Sequence, residues 1–166
     1  MEIEGTQMEL TQSEKQQRAE NYAIFLLSRQ DYTESKLRDK IKQNHPEADP
    51  EKIIVRMVDF GYVNDERFAE RYVQSMLQSQ QGVAKIKQKM YTKGFPRELI
   101  DSVPSMDSVQ EHDFKSAALS LKIRLYGEDP ISDKKLKQKA ISKLLRQGFA
   151  FDAARYAVET RQDDVF

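Results

Sequence analysis

Apolar residues recur along this chain at three- and four-residue spacing. Nowhere do they alternate steadily between turn pairs such as Asn-Gly or Asp-Gly, so the pattern predicts helices and no sheet. Residues 13–30 run without Gly or Pro and hold Tyr22, Phe25, Leu26 and Arg29 at helical spacing. Thr33 is an N-cap for a second helix carrying Leu37 and Ile41. Pro46 and Pro50 end that helix and open a third, with Ile53, Ile54, Met57, Val58 and Phe60 on its apolar face and Gly61 as its stop.

The same three-beat pattern returns twice. Asn64-Asp65 caps a helix bearing Phe68, Tyr72, Val73, Met76 and Leu77, and Gln81-Gly82 breaks it. Val83, Ile86 and Met90 form the face of the next helix, which stops at Gly94, and a short helix from Arg97 to about Val103 turns Leu99, Ile100 and Val103 inward. After a Ser/Asp-rich stretch come a helix from about Asp113 to Tyr126, a long one from Ser132 to Gln147 and a last one around Asp152 to Arg161. The middle helices align by sequence as Lys36-Leu37-Arg38-Asp39-Lys40-Ile41, Lys85-Ile86-Lys87-Gln88-Lys89-Met90 and Lys135-Leu136-Lys137-Gln138-Lys139-Ala140, a period of about fifty residues. Their exits match as well: Gly61-Tyr62, Gly94-Phe95 and Gly148-Phe149 each pair a helix-ending glycine with an aromatic expected to pack back.

The fold class expected is therefore all-α, an elongated, curved array of three tandem three-helix repeats with about nine helices. The expected divisions are an acidic flexible tail at 1–12, repeats at 13–63, 64–104 and 113–162, a linker at 105–112, and a C-terminal tail at 163–166. Tyr22, Phe25, Tyr62, Phe68, Tyr72, Phe95, Phe114, Tyr126, Phe149 and Phe151 lie at helical spacing or just past helix ends, which assigns them to core packing rather than base stacking.

Composition narrows the chemistry. With no Cys and two scattered histidines, the chain has neither a disulfide scaffold nor the makings of a Cys- or His-built metal site, and His45 and His112 read as surface residues. The strictly apolar run Ala23–Leu27 is far short of a membrane span, and Met1, Glu2, Ile3 and Glu4 lack the basic start of a secretory signal; a cytoplasmic protein is expected. The six glycines are too dispersed for a phosphate loop, and a triad built on His112 would sit in an acidic stretch with nothing apolar to bury it. The expectation is no enzyme, no cofactor and no metal.

Net charge is zero, with 27 basic and 27 acidic residues, but the charges are segregated. Residues 83–97 hold five basic residues and no acid, residues 134–146 six and none, whereas residues 98–113 carry five acids and no Lys or Arg. At 100° per residue, Lys85, Lys89 and Lys93 fall within about 80° of one another, and Lys135, Lys139, Lys143 and Arg146 share the matching sector. Lys36 and Lys40 begin an equivalent stripe in the first repeat. Lysines also coat the solvent side of ordinary amphipathic helices, and recurrence in two acid-free runs brings a binding face level with that explanation. Arg67 and Arg71 share a face at i, i+4, where partner contact and local pairing with Asp65, Glu66 and Glu70 both stand open.

The run Gly61-Tyr62-Val63-Asn64-Asp65-Glu66-Arg67-Phe68-Ala69 resembles the signature of the bacterial RecX family, regulators of the RecA recombinase, with Asn64 where Asp is usual. Gly82-x-x-Lys85-Ile86 continuing to Lys93-Gly94-Phe95, and Tyr32-Thr33-Glu34-Ser35-Lys36-Leu37-Arg38 continuing to Lys40, resemble two further family segments. Together they span residues about 20–160 in the family's order. The resemblance implies a monomer that lodges in the groove of the RecA filament on single-stranded DNA and inhibits ATP hydrolysis, recombination and coprotease activity, within DNA repair and the SOS response. It also implies weak binding of single- and double-stranded DNA, and no membrane partner. On this reading the expected RecA and DNA contacts are Lys36, Lys40, Arg67, Arg71, Lys85, Lys89, Lys93, Lys135, Lys139, Lys143 and Arg146. The alternatives are a nucleic-acid binder that reads DNA through the helix–glycine–helix ending at Gly94 or Gly148, and a helical-repeat scaffold acting without RecA.

Overall fold

The structure is a computed structural model and describes residues 9–164; most of the expected N-terminal tail, and residues 165–166 of the C-terminal one, lie outside the described residues. Among the described residues there are ten α-helices and no strand. They are α1 (Gln12–Leu27), α2 (Glu34–Asn44), α3 (Pro50–Asp59), α4 (Asp65–Gln78), α5 (Val83–Lys93), α6 (Arg97–Ser102), α7 (Asp107–Gln110), α8 (Phe114–Tyr126), α9 (Lys134–Arg146) and α10 (Phe151–Glu159). The helix beyond the expected nine is α7, inside the stretch read as a linker. Its Asp and Ser have linker composition, but Val109 is buried and its amide donates to the Met106 carbonyl at 2.9 Å. The chain divides into two compact units, one through Phe68 and one from Ala69, so the stretches read as second and third repeats fall almost wholly in the second unit.

In the first unit, α1 opens on a reciprocal cap in which Thr11 accepts from the Glu14 amide while the Glu14 carboxylate accepts from the Thr11 amide. Thr33 caps α2 as expected, and Asp49 caps α3 ahead of Pro50. The core is Ala19 and Ala23 of α1 against Leu37, Ile41, Ile53, Ile54, Met57 and Val63. Because α1 meets its neighbours through alanines, Phe25, two residues and about 200° beyond Ala23, faces away.

That geometry corrects the aromatic assignment. Phe68, Phe95 and Phe149 are buried, but Phe25, Tyr62 and Phe151 stand 52%, 55% and 57% exposed. Phe151 repeats the logic of Phe25, lying two residues from the buried Ala153 of α10. At the exit of α3 the amides of Tyr62 and Val63 both donate to the Met57 carbonyl, and the inward position goes to Val63. The other two exits follow the expectation: the amides of Phe95 and Phe149 donate to the carbonyls of Met90 and Leu144, and both rings are buried. Gly61, Gly94 and Gly148 all take left-handed backbone at these three exits.

The histidines are half-buried rather than surface residues. His45 lies 5.1 Å from the Tyr22 ring, and His112 meets the edge of Phe114 at 4.7 Å with its Nε2 enclosed and without a partner among the described residues.

In the second unit, α8 and α10 pack with α9 around Leu119, Leu121, Leu144, Phe149, Ala154 and Val158. α5 locks onto the end of α9 where two glycines cross. The Gly82 amide donates to the Gln147 carbonyl at 2.8 Å, and a Cβ on Gly82 would lie 2.1 Å from the carbonyl carbon of Gly148. A Cβ on Gly148 would lie 2.4 Å from the Lys85 amide nitrogen. Only backbone without side chains closes to this distance.

Lys122 of α8 is buried at 0% exposure, on the same face as Ala118 and Leu119. Its Nζ donates to the carbonyls of Glu128 and Asp129 at 3.2 and 2.6 Å, closing the turn that leads to α9. Burial pushes this ammonium below the ordinary lysine value of 10.5, with Asp129 pulling the other way. Between the lowered folded value and 10.5 the unfolded chain binds more protons, so this group makes stability rise with pH across that window. The urea midpoint of the native chain should therefore climb relative to that of Lys122→Met as pH rises from neutrality toward 10.5. A difference that stays constant with pH would remove this account of the buried charge.

Candidate functional site

The middle helix of each repeat carries basic residues in the same register, and the structure divides them into two classes. The third residue of the aligned segment faces an acid of the following third helix in all three repeats, although Asp101 and Glu159 also pair with Arg97 and Arg155 of their own helices. Arg38 pairs with Glu51 of α3 at 2.5 Å, Lys87 approaches Asp101 of α6 at 3.9 Å, and Lys137 pairs with Glu159 of α10 at 2.9 Å. These acids occupy different places on their helices, Glu51 in the first turn and Asp101 and Glu159 near the ends, so the acid-facing sector recurs although its partners do not align.

The first and fifth positions behave differently. Lys36, Lys40, Lys85, Lys89, Lys135 and Lys139, together with Lys143 and Arg146, make no ion pair with a carboxylate among the described residues. Lys85, Lys89 and Lys143 are half-buried and the others exposed. The half-buried stems lie along their own unit, with Lys89 Nζ 3.9 Å from the Met76 sulfur. Lys93 sits over the Tyr72 ring at 5.8 Å. Four residues advance a helix by about 6 Å, so the lysines of each stripe leave the helix backbone at that interval.

Within the second unit the glycine crossing brings the backbone at the start of α5 beside the end of α9, through the Gly82–Gln147 hydrogen bond and the close approach of Gly148 to Lys85. The arrangement also suits the helix dipoles. Lys143 and Arg146 lie in the last turn of α9, where positive charge is favoured, and the acid-free first turn of α5 leaves the amino end of its dipole unopposed. Positive charge so placed on each helix attracts a polyanion.

Arg67 has a local task. Its Nη2 donates to the Gly61 carbonyl at 2.9 Å while its amide is capped by the Asn64 side chain, also at 2.9 Å, so Asn64 caps α4 as Asp would. Asp65 accepts from the Glu34 amide at 3.0 Å, and burial raises its carboxyl above the usual range despite that bond. The run 61–69 therefore joins α3 to α4 and ties α4 to the start of α2. Arg71 is exposed.

Compared with known proteins, the chain is 32% identical over 134 residues to the regulatory protein RecX of Haemophilus influenzae strain PittEE, an alignment covering 80% of this chain and 87% of that one. The chain belongs to the RecX family. The RecX protein of Acinetobacter baylyi is 31% identical over 143 residues, covering 86% and 87% of the two chains. Residues 64–103 match the family description "RecX, second three-helix domain", the stretch that begins at the Asn64 cap and ends at the buried Val103. The crystal structure of RecX from Lactobacillus salivarius superposes with a TM-score of 0.69 over 88% of this chain and 96% of that one, at 22% identity, so the RecX fold is shared as well.

A cleft of about 630 Å³ in the second unit, bounded by Val83, Lys87, Pro104, Phe114, Phe149 and Ala153 among others, contains none of the candidate contact residues. Among the described residues no cluster of three or more His, Cys, Asp or Glu is placed to hold a metal ion, and no helix is long and apolar enough to cross a membrane.

Proposed function

We propose that this RecX-family chain binds the RecA nucleoprotein filament in its helical groove and inhibits RecA's ATP hydrolysis, recombinase and coprotease activities. It thereby regulates DNA repair and the SOS response, acting as a cytoplasmic monomer that needs no cofactor. The observation that carries this reading is the division of the basic residues. In each repeat an acid of the third helix faces one sector, Arg38, Lys87 and Lys137, while Lys36, Lys40, Lys85, Lys89, Lys135 and Lys139 make no ion pair with a carboxylate among the described residues.

A filament groove offers phosphates and protein together, which is the kind of surface a row of unopposed ammonium groups recognises. Contact roles fall to Lys36, Lys40, Lys85, Lys89, Lys135, Lys139, Lys143 and Arg146, with Lys93 and Arg71 beside them and Arg67 also bracing its own turn. Single- and double-stranded DNA are bound weakly outside the filament. RecA's DNA-dependent ATP hydrolysis is the test, since the chain should suppress it in a dose-dependent way. Binding to DNA alone that equals binding to the filament would favour a plain nucleic-acid binder instead.

A further inference from the structure

The first unit exposes a second kind of surface, on helices other than the one that carries its lysine stripe. Phe25 of α1 and Tyr62 after α3 are both more than half exposed, as is Phe60 at 55%, and the Phe60 and Tyr62 ring centroids lie 5.7 Å apart. Between α1 and Tyr62 runs a groove of about 200 Å³ lined by Ile24, Leu27, Ser28 and Tyr62. Ile24, Ser28 and Phe25 follow one another round α1 within about 100°, so groove and aromatics form one patch. Two arginines border it: the Arg29 guanidinium lies 4.9 Å from the centre of the Phe25 ring, and that of Arg56 5.6 Å from the centre of the Phe60 ring. Arg56 is already paired with the buried Glu20 at 2.8 Å, whereas Arg29 meets no carboxylate among the described residues.

We infer that this patch is a protein-contact surface, and that its occupant is a partner protein segment presenting a leucine- or aromatic-sized side chain next to a carboxylate. The groove accepts the apolar side chain, the neighbouring rings cover it, and the unopposed Arg29 receives the acid. Exposed aromatics bordered by arginine are the composition of interface hot spots, whereas solitary exposed apolar residues are not. A nucleic-acid strand fits less well. The stripe lysines of this unit that would follow its phosphates, Lys36 and Lys40, lie on α2, and the groove is walled by Ile24 and Leu27 as well as Tyr62 rather than by stacked rings. The inference rests on the filament reading, and within it names the RecA protomer, not the DNA, as what this patch touches.

The experiment compares the full chain with Phe25→Ser/Tyr62→Ser and with Arg29→Glu. Each is measured for binding to RecA filaments on single-stranded DNA, for binding to a thymidine oligonucleotide without RecA, and by sedimentation. These side chains are exposed, so helicity and melting temperature should be retained. The expected result is filament affinity about tenfold lower in both variants, with oligonucleotide binding and sedimentation unchanged. Filament affinity within about twofold of the native chain would overturn the patch and leave the filament reading standing. Parallel loss of oligonucleotide binding would make the patch a base-stacking surface, and a native dimer dissolved by the variants would make it a self-association surface; either overturns the inference. If the native chain does not bind the filament, the filament reading falls and takes this inference with it.

Discussion

Replacing Gly148 with alanine should destabilise the second unit by about 3 kcal/mol or more, a fall in melting temperature of about 10 °C. Two costs combine there. The residue takes left-handed backbone at φ +91°, and its Cβ would lie 2.4 Å from the Lys85 nitrogen and 2.6 Å from the Lys85 Cβ. Neither atom is the loose end of a side chain, so α5 has to shift bodily away from α9. Gly61→Ala separates the two costs, because Gly61 also has positive φ, +73°, but nothing lies within 4 Å of the added carbon. That variant should lose only the conformational part, about 1 kcal/mol. Gly82→Ala, whose Cβ would meet backbone atoms of Gly148 and Phe149 between 2.1 and 2.3 Å, should behave like Gly148→Ala. Urea denaturation of the three variants decides the matter, and equal losses for Gly61→Ala and Gly148→Ala would mean that the crossing is not tight in solution.

The second large effect concerns binding rather than stability. Reversing Lys135, Lys139 and Lys143 together to Glu should lower filament affinity by about a hundredfold while leaving helicity unchanged, since none of the three is ion-paired with an acid among the described residues. The informative control is Lys137→Gln. Lys137 is on the same helix and carries the same charge, but it is already paired at 2.9 Å with Glu159, an acid it shares with Arg155. Removing it should cost less than about 1 kcal/mol of stability and barely change filament affinity. Raising salt should weaken the native chain far more than the triple variant, because fewer counterions are released when fewer ammonium groups meet phosphate. Triple and single variants that bind equally well would reduce the stripe to solvation.

The contrast between Lys137 and its neighbours marks how far the sequence could be read. The register of the lysines, the Thr33 cap and the three glycine exits are local patterns, set within a turn or two of helix, and they are legible as such. Which basic residue faces an acid depends on carboxylates 13 to 22 residues away, at Glu51, Asp101 and Glu159, and only the packing of the third helix on the second brings them near. The aromatics fail for a related reason. Helical spacing says which residues share a face but not which face is buried, and in α1 and α10 small alanines take the buried side and turn Phe25 and Phe151 outward. Spacing puts Lys122 on the face of Ala118 and Leu119, but its partners are main-chain carbonyls, whose positions no residue type announces. The signature run 61–69 resembles the family's, yet much of it is spent on a joint within the first unit: Gly61, Asn64, Asp65 and Arg67 fix the first turn of α4 after α3 and against the start of α2.

The proposed restraint of a RecA filament acts through ammonium groups that pair with no acid among the described residues. It is tested most directly by following ATP hydrolysis by RecA on single-stranded DNA as purified chain is added. Hydrolysis should fall with dose for the native chain and for Lys137→Gln, and hold steady for the Lys135/Lys139/Lys143 reversal. A rate unchanged by several-fold molar excess of the native chain would contradict the account.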